Sequence, residues 1–156
     1  RKCILMREGN ASAHHNCRPE GDNSMKALIV EDDFTSRKVM QLMLLPFGEC
    51  DIAVNGFEAI AAFRTAAAER NRYDLICLDI MMPEMDGHAV LREIRRIEEE
   101  QGFFGRDGVK VIMTTALSDS GNILKAFNEQ CEAYLVKPIE KRKLFEVLRN
   151  LGLLNE

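Results

Sequence analysis

From residue 25 onward, short apolar runs alternate five times with longer stretches whose apolar residues recur every three or four positions. KALIV at 26–30 ends in acids, as a buried parallel strand does where it leaves its sheet. The stretch 35–45 carries Val39, Leu42, Met43 and Leu45 at helical spacing, and Pro46 with Gly48 stops it. CDIAV at 50–54 reads as the second strand, followed by a turn at Asn55-Gly56. The alanine-rich segment 58–70 favours helix. DLICLDI at 74–80 is the third strand, closed by a loop at Met82-Pro83.

The segment 87–101 places Val90, Leu91, Ile94 and Ile97 on one face, with charges opposite. Its tail, RRIEEEQ, reads as a solvated face, and His88 as a solvent-facing residue of the first turn. After the loop GFFGRDG comes a fourth strand, KVIMTT at 110–115. A weaker helical pattern covers 120–130, AYLVK at 133–137 is the fifth strand, and 141–151 is the last helix. Strand and helix in regular alternation predict a doubly wound α/β domain, a five-stranded parallel sheet covered on both faces by five helices. Right-handed crossovers restrict the possible strand orders.

Residues 1–24 have no sustained period and no apolar core long enough for a signal peptide. They are expected to be a flexible extension outside a domain spanning 25–154, with Met25 a natural start. Cys3, His14, His15 and Cys17 are metal-ligand types, but their spacing matches no standard finger. After the last helix, GLLNE leaves little room for another domain, so output is expected through contact with another molecule. A net charge of −4 argues against a general nucleic-acid binder. No apolar run approaches the roughly 20 residues that span a bilayer. Five cysteines without scaffold or ribbon spacing fit a reducing, cytoplasmic setting, with Cys77 packing as a small hydrophobe inside its strand.

Functional groups of an open parallel sheet gather outside the carboxyl ends of its strands. Those ends supply Glu31, Asp32 and Asp33 after the first strand, Asp79 on the third, Thr114 and Thr115 on the fourth, and Lys137 on the fifth. Carboxylates held together repel unless a cation neutralises them. A hard oxygen set open to water suits Mg²⁺. Such a centre makes one carboxylate a usable nucleophile toward a phosphoryl group, with Lys137 and Thr115 free to hold the phosphoryl oxygens.

LIVEDD at 28–33, LDIMMPEMDG at 78–87, TTA at 114–116 and YLVKP at 134–138 resemble, in order, the four signature blocks of response-regulator receiver domains of the CheY-like kind. The resemblance covers essentially all of 25–154. It implies strand order 2-1-3-4-5, a flavodoxin-like arrangement. Asp79 then matches the phosphoacceptor, and Glu31 and Asp32 the acidic pair that binds Mg²⁺. Met81 matches the position whose backbone carbonyl completes the metal site. Thr115 matches the switch hydroxyl, and Lys137 the lysine followed through a cis peptide by Pro138. Tyr134 matches the aromatic that swings inward, repacking the face of the fourth helix, fifth strand and last helix. Asp33 has no role in the family beyond favouring the start of the first helix.

The implied partners are a sensor histidine kinase or histidine phosphotransfer protein upstream and a protein target downstream, with no nucleic acid and no membrane. The implied assembly is a monomer or a weak phosphorylation-dependent dimer. No turnover of an external substrate is expected, only the domain's own phosphorylation and dephosphorylation. A relay intermediate that passes the phosphoryl group on is the alternative within this class. An aspartyl-phosphate hydrolase commonly needs a second acid two residues after the nucleophile, where this chain has Met81. A phosphorylation-independent scaffold would not require the Glu31, Asp32, Asp79, Thr115 and Lys137 set. Met81 and Leu117 replace groups that orient water in fast self-dephosphorylating relatives, so a long-lived phosphoryl state is expected.

Overall fold

Three of the predicted strands are too apolar to face water on either side, and the computed structural model, which describes residues 24–116 and 131–155, buries these between two helical layers and leaves the second strand, with Glu49 and Asp51, as a partly exposed edge. The strands are β1 (Met25–Val30), β2 (Gly48–Ala53), β3 (Leu75–Asp79), β4 (Lys110–Thr115) and β5 (Ala133–Val136). All pairings are parallel and the order is β2-β1-β3-β4-β5, as the resemblance implied. The helices among the described residues are α1 (Phe34–Leu44), α2 (Gly56–Ala68), α3 (Gly87–Glu100) and α4 (Lys141–Asn150). The helix expected at 120–130, Leu117 and the 1–23 extension lie outside the described residues.

Alternation along the strands sends side chains to opposite faces. Leu28, Ile76, Leu78, Val111 and Met113 meet Phe63 of α2 and Val90, Leu91 and Ile94 of α3. Ala27, Ile29, Leu75, Cys77 and Ile112 meet Met40 and Leu44 of α1 and Leu144 and Leu148 of α4. Each fully buried Leu or Ile contributes roughly 1.5–3 kcal/mol, so the two layers hold the sheet from both sides. Three helices begin on side-chain caps, each accepting a backbone N–H of the first turn. Asp33 accepts from Ser36 at 2.7 Å, Asn55 from Glu58 at 2.9 Å, and Asp86 from Ala89 at 2.9 Å. The Asn55-Gly56 turn is therefore the entry to α2.

Three sequence expectations need correction. On α1, Val39, Leu42 and Leu45 are exposed, while Met40 and Leu44 are the buried pair, so the core face is rotated from the one read. His88 is 4% exposed rather than solvent-facing, because α3 starts hard against the end of β3. The tail of α3 is only partly solvated, since Ile97 and Glu98 are buried.

Glu98 has a structural use. One of its carboxylate oxygens accepts the Val109 N–H at 2.6 Å, and the other takes Arg95 at 2.7 Å. Arg95 also reaches the Val109 carbonyl at 2.9 Å and Glu132 at 3.1 Å, and Glu132 accepts the Val111 N–H at 2.6 Å. Arg72 lies 3.8 Å from Glu98 with its guanidinium 3.5 Å from the centre of the Phe103 ring. This charged clamp ties the amino ends of β4 and β5 to α3.

Candidate functional site

The sheet order reverses between β1 and β3, because the chain leaves β1 for one edge and β3 for the other. A crevice opens at that point above the carboxyl ends. Glu31 continues the line of β1 by donating its N–H to the Ala53 carbonyl at 3.1 Å, and stays 5% exposed. Asp79 ends β3 beside it and is 4% exposed, while Asp32 is exposed. Carboxylate oxygens of Glu31, Asp32 and Asp79 all lie within 4.8 Å of one another.

Lys137 enters from the end of β5. Its Nζ donates to Glu31 Oε2 at 2.7 Å and lies 3.3 Å from Asp79 Oδ2. The Lys137 N–H is fixed by the Thr115 carbonyl at 2.7 Å, and the Lys137-Pro138 peptide is cis, as the resemblance implied. The Met81 N–H donates to Asp79 Oδ1 at 3.3 Å, while its side chain is 58% exposed. Two carboxylates and an ammonium from the ends of three strands are thus held in contact.

Burial pushes the Asp79 carboxyl well above the ordinary carboxylate range, and the neighbouring Glu31 charge pushes it further. Lys137 and the Met81 N–H oppose that rise without cancelling it. Burial disfavours the Lys137 ammonium, but its bonds and attraction to Glu31 and Asp79 outweigh this and hold its pKa above the usual lysine value. Three carboxylates against one ammonium leave two uncompensated negative charges, the charge of one divalent cation. Two oxygens on a shared Mg²⁺ stand about 3–4 Å apart, so carboxylates already within 4.8 Å of one another need only a small inward shift to share such an ion.

Thr115 is fully buried, with its hydroxyl donating locally to the Ala116 carbonyl at 3.3 Å. Tyr134 is half-buried, stands opposite Met113 in the β4–β5 ladder, and packs against the core shared with α2 and α3. Thr115 lies two residues after Met113 and so shares that sheet face. Asp33 is turned away from the cluster to cap α1, and its bond from the Ser36 N–H keeps its carboxyl below the ordinary range. The four methionines nearest in sequence to the site differ in burial, with Met82 and Met113 buried, Met85 half-buried and Met81 outward.

Two contributors escaped the sequence reading. Arg37 donates to the carbonyls of Glu31 at 2.9 Å and Asp32 at 3.2 Å, steadying the acidic turn from inside α1. The available signal was an arginine one turn into the helix that follows an acidic triplet. Gly87 is the second: a Cβ there would stand 2.4 Å from the Asp79 carbonyl oxygen, a distance no side chain tolerates. Its N–H donates to the Ile80 carbonyl at 2.9 Å, closing the loop after the candidate nucleophile.

The sequence profile described as "Response regulator receiver domain" matches residues 27–149. The transcriptional regulatory protein ResD of Bacillus subtilis is 36% identical over 85% of this chain and 49% of its own length. The regulatory protein VanRB of Enterococcus faecalis is 34% identical over 84% of this chain and 56% of its own. The chain spans about half the length of these relatives and 7% of a hybrid signal transduction histidine kinase from Dictyostelium discoideum. Among solved structures, the receiver domain of a Pseudomonas aeruginosa sensor histidine kinase, with a magnesium ion coordinated in its active-site cleft, is similar at 29% identity. It has a TM-score of 0.66, covering 83% of this chain and 98% of that one. With its 2-1-3-4-5 sheet and its profile match over most of its length, the chain belongs to the response-regulator receiver domains of two-component signalling.

Proposed function

We propose that this domain accepts a phosphoryl group on Asp79 from a phosphohistidine donor, and that the receiver unit is the part spanning 25–154. The observation that carries this reading is the Lys137 amine bridging Glu31 and Asp79 inside a crevice where Asp32 adds a third carboxylate, so that one ammonium faces three acids. Glu31, Asp32, Asp79 and the Met81 backbone carbonyl would hold Mg²⁺. When bound, the ion neutralises the acids and draws charge from the phosphoryl oxygens.

An Asp79 carboxylate oxygen attacks phosphorus, the bond from phosphorus to the donor nitrogen breaks, and the imidazole leaves with the electron pair and takes up a proton. Lys137 exchanges part of its contact with Asp79 for a phosphoryl oxygen, acting as a point charge. Thr115 turns its hydroxyl from the Ala116 carbonyl toward a second oxygen. The space it vacates lies on the face that carries Tyr134, whose ring moves inward and alters the surface around β5 and α4. Exposed Phe34, Val54, Phe57 and Met81 follow the carboxyl ends of three strands and give an arriving donor an apolar rim to settle on.

A histidine kinase or phosphotransfer protein is therefore the upstream partner, and a protein that reads the altered face is the downstream one. Incubation with acetyl phosphate and Mg²⁺ followed by intact mass measurement tests the reading. A stoichiometric gain of about 80 Da, absent from Asp79→Asn, is expected. Continuous phosphate release without an adduct would support a hydrolase instead, and an undiminished adduct on Asp79→Asn would refute the assignment.

A further inference from the structure

Close-packed interiors leave few voids larger than a water molecule, yet a cavity of about 200 Å³ lies between α1, the sheet and the segment after β5. Its origin is visible in the side chains. Thr35 and Ser36 of α1 face Cys77 of β3 and Thr114 of β4, so small residues meet where leucine and isoleucine fill the layer elsewhere. The floor is buried and apolar, with Ile29 at 1%, Met40 at 5% and Cys77 at 2% exposure. Thr35, Val39 and Pro138 are exposed and form the mouth. The site is a pocket that solvent-borne molecules can enter.

We propose that this pocket binds small neutral aromatic molecules carrying one hydrogen-bonding group, the indole and phenol class. An apolar cavity of about 150 Å³ is enough to take benzene, so this one admits a ring with a substituent or a fused second ring. Thioether and thiol sulfur favour aromatic edges, and Met40 and Cys77 both stand at the floor. Hydroxyl-bearing Thr35, Ser36 and Thr114 supply partners for a single polar group.

Charge selects against anions. Glu31 and Lys137 form one wall but are paired to each other at 2.7 Å, so the lysine offers no unspent charge. An anion entering there meets Glu31 and the carboxylates beyond it. A bound molecule touches two side chains of the acidic crevice without occupying it. Binding itself does not depend on the phosphoacceptor reading.

Titration of the full-length, unphosphorylated chain with indole, followed by methyl chemical shifts, tests the assignment. Saturable shifts are expected at Ile29, Val39 and Ile139. Val39→Trp, at an exposed position, closes the mouth and weakens binding by about tenfold or more with thermal unfolding unchanged. Cys77→Leu fills the floor and weakens binding likewise, with folding of this buried variant checked by its thermal unfolding. Benzoate, similar in size but anionic, produces no saturable shifts. Absence of saturation into the millimolar range, binding indifferent to Val39→Trp, or equal binding of benzoate would each overturn the proposal.

Discussion

Replacing Asp79 with asparagine should make the metal-free protein more stable at neutral pH, although it removes a buried ion-pair partner of Lys137. The carboxyl is raised from 3.8 to about 7, by burial first and by the Glu31 charge second. A carboxyl whose folded-state pKa exceeds its unfolded value holds its proton more tightly in the folded chain. Its favourable contribution is complete below about pH 4 and is lost as the pH rises through about 7. Each tenfold change in proton affinity is worth about 1.4 kcal/mol, which would give about 4 kcal/mol in a rigid, dry site. Asp32 is exposed and Lys137 keeps 25% of its side chain in solvent, so screening reduces this to about 2 kcal/mol.

Asparagine is close in size to aspartate and can still accept from the Met81 N–H, so little else changes. For a domain of this size the difference amounts to about 6 °C in Tm. Thermal or urea unfolding of both proteins in chelator, from about pH 3.5 to pH 8, reads the effect. Carboxylates common to the two proteins cancel in the difference. The variant should match the wild type at the acid end and exceed it at the alkaline end, and added Mg²⁺ should close the gap by stabilising the wild type more. A variant no more stable than wild type at pH 8, or a gap that does not change with pH, refutes the electrostatic account of the crevice.

Lys137→Ala should slow labelling by acetyl phosphate by about 10²-fold, the usual cost of losing one preorganised donor to developing charge; intact mass against time measures it, and an unchanged rate would remove the lysine from the chemistry. Glu98→Ala leaves the buried Val109 N–H without its acceptor and takes from Arg95 one of its two carboxylates, so about 2 kcal/mol of stability should be lost in urea unfolding with the labelling rate per folded molecule unaltered. The acyl phosphate on Asp79 should persist for minutes or longer after donor removal, because the Met81 side chain offers nothing to orient water; decay within seconds would contradict this.

Much of the sheet was legible because each strand is a short apolar run and four of the five end in a residue able to do chemistry. The β4 expectation at 110–115 coincides with the observed strand, and the third strand differs by a residue at either end. Periodicity did less well on α1. Phe34, Val39, Leu42 and Leu45 make an apolar stripe as regular as the buried pair Met40 and Leu44, and a count of spacing cannot tell which of them meets the sheet. Glu98 was misread for a related reason. Within a run of acids nothing local distinguishes the one that caps strand N–H groups, since Val109 and Glu132 arrive only through the fold. The acidic cluster was foreseen because it sits on strand ends, whereas Arg37 and Gly87 act through backbone carbonyls, so their residue types alone do not announce what they do.

The close seat of Gly87 on the Asp79 carbonyl has a consequence for how the molecule can respond. With no room for a methyl group, the first turn of α3 forms a wall behind the aspartate that cannot yield. On the function proposed above, esterification of Asp79 would therefore express itself away from that helix, through the Thr115 hydroxyl and the Lys137 amine that approach from β4 and β5. Such a switch would bend in one direction.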